Sequence, residues 1–193
     1  MSRVAQLVHG DGRKLAVYVP RPSGVGSALA YDLPALKRAA DLVLVSTYNE
    51  HAPGTSPGPI DSHDGFERVL QQGSEVSRAR VAPILGAFGY AWPSSGGPGR
   101  LLPTVEATRG RSGCNTGGAT MSVAASVASM LTGSGAYACN GETVYYATLE
   151  GLRARARAVG AAGFRWVALF SLGREPRAFW DGMPVLRGPG STR

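Results

Sequence analysis

The chain has 193 residues, 44% of them apolar and 17% charged. That balance excludes disorder throughout, which needs low hydrophobicity and high charge. The length admits one domain, or one with a small insert, and falls short of the roughly 250 residues of a complete (β/α)8 barrel.

The net charge is +7, from 20 basic and 13 acidic residues, and every basic residue except Lys14 and Lys37 is arginine. A basic balance favours acidic partners such as nucleic acid, an anionic cell-wall polymer or a membrane surface. The arginines are scattered, however, and the densest cluster is Arg153, Arg155 and Arg157. No specific nucleic-acid binding is expected. Cys114 and Cys139 are the only cysteines. Two cysteines exclude a disulfide framework and an all-cysteine zinc site. One bridge is open to them, but free buried thiols are the expectation.

No three-ligand metal set is apparent, and no cofactor is expected. The first ten residues, with Arg3, Gln6 and His9, do not read as a signal peptide. The apolar stretch 121–131 is too short to span a bilayer. As written, the chain is expected in the cytoplasm. It is expected outside the cell or at the cell wall if the natural start lies upstream.

In chain order, a helix over 3–9 precedes a short buried strand at 14–20. Asp32 stands at an N-cap before a helix over 33–40, with Pro34 in the tolerated first turn. Residues 41–48 form a continuous apolar run, as in a strand covered on both faces of a parallel sheet. Residues 52–60 are a loop. Phe66, Val69 and Leu70 share one face of a short helix ending near Gly73. Residues 81–88 are a third apolar strand. Thr148 caps a helix with Leu149, Leu152, Ala156 and Val159 inward, and 164–170 is a fourth strand.

The alternation predicts right-handed βαβ units and a parallel sheet. Residues 94–141 interrupt it as an irregular or small insert, whose one helical candidate is 119–131. Four βα units do not close a barrel, so the strand order is either doubly wound or that of half a barrel.

Three segments carry a resemblance. The first is 41–51 with Ser46-Thr-Tyr48-Asn49 and His51, followed by Ser56-Pro-Gly-Pro59. The second is Ile84-Leu-Gly-Ala-Phe-Gly-Tyr90-Ala-Trp92-Pro93. The third is 163–175, ending Phe170-Ser-Leu-Gly-Arg-Glu175, with Phe179-Trp180 behind it. In order and spacing these resemble strands six, seven and eight of glycoside hydrolase family 18, which includes chitinases and spore cortex hydrolases. Leu7-Val-His9 and residues 14–17 resemble the approach to strand five.

The resemblance implies a single partial (β/α)8 domain over 1–193. It comprises the last four βα units, with the insert between the last two strands. It also implies action on N-acetylglucosamine glycans by substrate assistance, an exception to the two-carboxylate scheme. A glutamic acid at the end of the motif D-x-x-D-x-D-x-E protonates the leaving oxygen, and an aspartate orients the substrate's acetamide. That motif is absent from this chain, so no catalytic residue is assigned.

Asp61, Asp64 and Glu67 have helical spacing and read as acids at a helix N-terminus. Tyr48 keeps the phenol that helps hold the acetamide in relatives. Asn49 replaces an aspartate, and Phe170 stands where relatives stack a sugar on tryptophan. The family's W-[FY]-E-D appears as Tyr145-Tyr-Ala-Thr148, and Trp166 replaces a small residue. Tyr48, Asn49, Tyr90, Trp92 and Phe170 are therefore the substrate-binding candidates. Glu50 and His51 are a weaker acid–base pair, since adjacent strand residues point opposite ways.

Three readings remain open. One is a half domain whose acid comes from an N-terminal half-barrel partner. Another is a non-catalytic glycan-binding pseudoenzyme that closes its own barrel as a homodimer. The last is an unrelated doubly wound protein, for which no phosphate-binding loop is present.

Overall fold

The structure is a computed structural model and describes residues 2–22, 31–114 and 133–181. Helix α1 (Ser2–Gly10) leads into strand β1 (Ala16–Val19), followed by α2 (Leu33–Ala39), β2 (Leu42–Ser46), α3 (His63–Val76) and β3 (Val81–Gly86). After an interruption come α5 (Leu149–Ala161) and β8 (Ala168–Phe170). Strands β1, β2, β3 and β8 form one parallel sheet in that order. Sequential order excludes a doubly wound arrangement for these strands and fits a partial barrel. The expected helix at 119–131 lies outside the described residues.

The helix boundaries follow from local chemistry. The Asp32 carboxylate accepts from the Ala35 N–H at 2.8 Å, the Ser62 hydroxyl from Gly65 at 3.1 Å, and the Thr148 hydroxyl from Gly151 at 2.9 Å. Each satisfies an N–H that the helix leaves without an internal partner.

Alternation along the strands separates two faces. Val19, Val43, Val45, Val81 and Leu85 are at most 1% exposed and join Phe66, Val69, Leu70, Leu152 and Val159 in one core. That is the face covered by α3 and α5. Gly73 permits the close approach, since a Cβ there would lie 3.1 Å from Val81 Cγ1. On the other face Ala82 and Ile84 of β3 are buried, while Tyr18 on β1 and Phe170 on β8, the edge strands, are about half exposed.

Residue Ala87 carries the chain from β3 directly into a second sheet. The sequence suggests one strand over 81–88, but the backbone leaves the parallel sheet at Gly86. Ala87 N–H donates to the Phe170 carbonyl at 2.7 Å. Strands β4 (Phe88–Pro93), β5 (Arg100–Pro103), β6 (Ser134–Cys139) and β7 (Glu142–Ala147) form an antiparallel sheet ordered β5-β4-β7-β6. Helix α4 (Thr104–Gly113) packs on it, with Ala91, Leu102, Ala107, Val144 and Tyr146 as its core. Asn140 and Gly141, at φ 50° and 75°, turn β6 into β7. Both turn residues at positive φ is what a tight two-residue hairpin requires.

The cysteines correct the expectation of free thiols. Cys114 and Cys139 are joined in a disulfide with a Cα–Cα distance of 5.9 Å, inside the range a bridge can span.

Candidate glycan-binding site

The C-terminal ends of β2, β3 and β8 converge with the start of β4 on an open cavity of about 550 Å³. In parallel βα architectures this end carries the functional loops. The Tyr48 ring stacks on Phe170, with centroids 5.6 Å apart and planes at 25°. Phe88 meets Tyr48 edge-on at 5.2 Å and Tyr90 at 5.5 Å. Such pairs gain attraction beyond the area they bury. Tyr48 is buried, whereas Phe170 is 43% exposed and forms the accessible platform. The Phe170–Ser171 peptide is cis.

The Tyr90 hydroxyl donates to Asn49 Oδ1 at 2.9 Å. Asn49 has φ 68°, a left-handed conformation that asparagine tolerates better than most residues. Burial pushes the Tyr48 phenol up, with the Tyr18 phenol beside it adding to the rise. Burial raises the Tyr90 phenol as well, and the Arg174 charge opposes that rise. Both remain neutral donors and acceptors at neutral pH.

Of the five candidates, Tyr48, Asn49, Tyr90 and Phe170 line the cavity and Trp92 does not. Trp92 is 2% exposed and packs edge-on between Tyr90 at 5.6 Å and Tyr145 at 6.2 Å. It supports Tyr90 from behind. Tyr18, Phe88 and Leu101 also line the cavity and were not singled out from the sequence. Leu101 arrives from β5, so the second sheet forms one wall.

Glu50 is held in a structural network. Its Oε2 accepts from Arg21 Nη2 at 2.9 Å and from the Ser62 N–H at 2.7 Å, and its Oε1 from the Ser62 hydroxyl at 2.8 Å. Its pKa lies below the usual carboxylate value: burial opposes the drop, and the Ser62 bonds and the Arg21 charge outweigh it. A carboxylate so held is a poor proton donor. His51 Nδ1 lies 2.9 Å from the Ser56 carbonyl and serves the loop.

Asp64 lies in the first turn of α3, as its spacing suggests, but Asp61 precedes the helix and is buried against Arg155. No carboxylate lines the cavity among the described residues. Among them, too, no group of three His, Cys, Asp or Glu is placed to hold a metal.

No protein-family model and no curated protein matches the chain. Solved structures do. A chitinase from Chromobacterium violaceum ATCC 12472 is 30% identical with a TM-score of 0.72, over 93% of this chain and 57% of the chitinase chain. The chain matches part of a family 18 glycoside hydrolase domain. A class V chitinase from Pseudomonas fluorescens Pf-5 shares the fold at 20% identity and TM-score 0.70, over 93% and 58% of the two chains. The Bacillus cereus spore cortex-lytic enzyme SleL does so at 16% identity and TM-score 0.71, over 92% and 43%. The family 18-like chain thus spans about half the length of these relatives.

Proposed function

We propose that this chain is the C-terminal half of a family 18-like barrel. It comprises the last four βα units and acts on glycans containing N-acetylglucosamine, such as chitin or peptidoglycan. The observation that carries the reading is the Tyr48–Phe170 stack beside the Tyr90–Asn49 hydrogen bond, in one cavity at the C-terminal strand ends. A sugar ring has apolar C–H faces for the Phe170 ring and an acetamide for the Tyr48 phenol and the Asn49 amide. With no D-x-x-D-x-D-x-E motif in the sequence and no acid on the cavity wall among the described residues, the chain binds glycan and does not cleave it unaided. The acid comes from an N-terminal half-barrel.

The test is a chromogenic chito-oligosaccharide assay on the purified chain, paired with calorimetric titration of chitotetraose. The expected result is binding without turnover. Turnover by the chain alone refutes the missing-acid reading, and absence of binding refutes the site.

A second reading is a non-catalytic glycan binder that closes its barrel as a homodimer. It is favoured by the half-exposed Tyr18 and Phe170 and by β1 and β8, each with one neighbour in the parallel sheet among the described residues. An unpaired edge beside an exposed apolar face invites pairing with another chain. Sedimentation equilibrium separates the two readings, since only the second requires a stable dimer.

A further inference from the structure

We infer that the Cys114–Cys139 bridge forms in an oxidising compartment and that it couples one wall of the aromatic cavity to the redox conditions there. Cys114 caps the C-terminus of α4, its N–H donating to the Gly110 carbonyl at 2.9 Å. Cys139 is the last residue of β6, the edge strand of the second sheet. Helix α4 packs on β4, β5 and β7. Its approach to β6 is marked by Gly110, where a Cβ would stand 2.6 Å from the Tyr137 hydroxyl. The bridge therefore pins the end of α4 to the far edge of the sheet. Strand β5, which runs directly into α4, carries Leu101 into the cavity wall. Bridge, helix, edge strand and wall form one mechanical path.

The sequence separation of the cysteines is 25. The loop they close contains residues 115–132, a Gly-, Ser- and Ala-rich stretch with no charged residue. Cross-linking a loop of that size removes substantial freedom from the unfolded chain. Both cysteines are half-buried, so reductant reaches them. On formation, two thiols lose two protons and two electrons and one S–S bond is made. The oxidant is a protein or small-molecule disulfide, itself reduced to two thiols. Reducing compartments reverse the reaction, so a persistent bridge of this kind belongs to a chain that is exported.

The experiment compares the full chain recovered from an oxidising compartment before and after dithiothreitol. No sugar is present, so its outcome is independent of the glycan reading. Before reduction, iodoacetamide should add to neither cysteine, and after reduction to both. The Tm should fall by about 10 °C on reduction, from the loop length and the usual relation of stability to Tm. Cys114→Ser and Cys139→Ser should each reproduce the lower Tm and lose the response to dithiothreitol. Backbone amide exchange at Leu101 and Leu102 should accelerate on reduction. Alkylation of both cysteines in the exported, folded protein, or a Tm indifferent to reduction, overturns the bridge. Unchanged exchange at Leu101 and Leu102 overturns the coupling to the wall.

Discussion

The Arg155 guanidinium lies 2.6 Å from the Asp61 carboxylate, and both side chains are more than nine-tenths buried. Arg155 also donates to the Asp61 carbonyl at 2.9 Å and lies 5.7 Å from the Phe66 ring centroid. The pair joins the loop before α3 to α5, two elements that cover the outer face of the parallel sheet. Burial raises the Asp61 pKa to about 7, although Arg155 and Arg21 pull it down.

This raised value sets a direction for stability against pH. Below about pH 4 the carboxyl is protonated in both folded and unfolded chains. Between about 4 and 7 the folded chain keeps a proton that the unfolded chain has lost, so stability falls as pH rises through that window. The full effect is at most about 4 kcal/mol. Urea unfolding at pH 4.5 and pH 7.5 should show the decline in the native chain, and Asp61→Asn should flatten it. An equal slope in both proteins removes Asp61 as the cause.

Glu50 works in the opposite direction. Its pKa is depressed in the folded chain, so its contribution is present above the unfolded value and lost as pH falls. Glu50→Gln should therefore destabilise the chain near neutral pH by about 1–3 kcal/mol, since Arg21 loses its charge partner. The difference from the native chain should shrink at pH 3. Thermal melts at the two pH values measure it, and a difference that grows at pH 3 contradicts the assignment.

Much of this arrangement was legible because it is local. The runs at 42–46 and 81–86 are apolar without alternation, as buried parallel strands require, and Asp32 and Thr148 announced their helices. The second sheet was harder to read. Gly135, Ala136 and Ala138 give β6 little hydrophobic contrast, although the Asn140-Gly141 turn signal stood beside it. Leu101 in the cavity wall, and Asp61 beside an arginine 94 positions away, depend on packing between distant segments. Trp92 stands two residues after Tyr90 on β4 but is buried against Tyr145 and the segment at Gly99, a covering by distant residues that a motif does not show. The cysteine pair was ambiguous because spacing alone does not set a distance.

Exposure separates two aromatic substitutions at the cavity. Phe170 is 43% exposed, so Phe170→Ala should cost the fold little and weaken chitotetraose binding about tenfold, the scale of one lost stacking contact. Tyr48 is 4% exposed beneath it, so Tyr48→Ala should destabilise the fold by about 3–5 kcal/mol, as aromatic truncations in cores do. Calorimetric titration and thermal melts on the same preparations test both. Equal losses of stability would mean that Phe170 is core rather than platform.

Asn49 offers a last test, because the resemblance expects an aspartate there. Asn49→Asp keeps a side chain tolerant of φ 68° and places a carboxylate against the Tyr90 hydroxyl, a shorter and stronger hydrogen bond. The Tm should hold within a few degrees. Asn49→Ala loses both the acceptor and the local tolerance of positive φ, and should cost about 2 kcal/mol. Restoring the charge should produce no turnover of chromogenic chito-oligosaccharide, because an oriented acetamide still needs a proton donor at the leaving oxygen. Turnover by Asn49→Asp would locate an acid within this chain and refute the assignment of that role to another half-barrel.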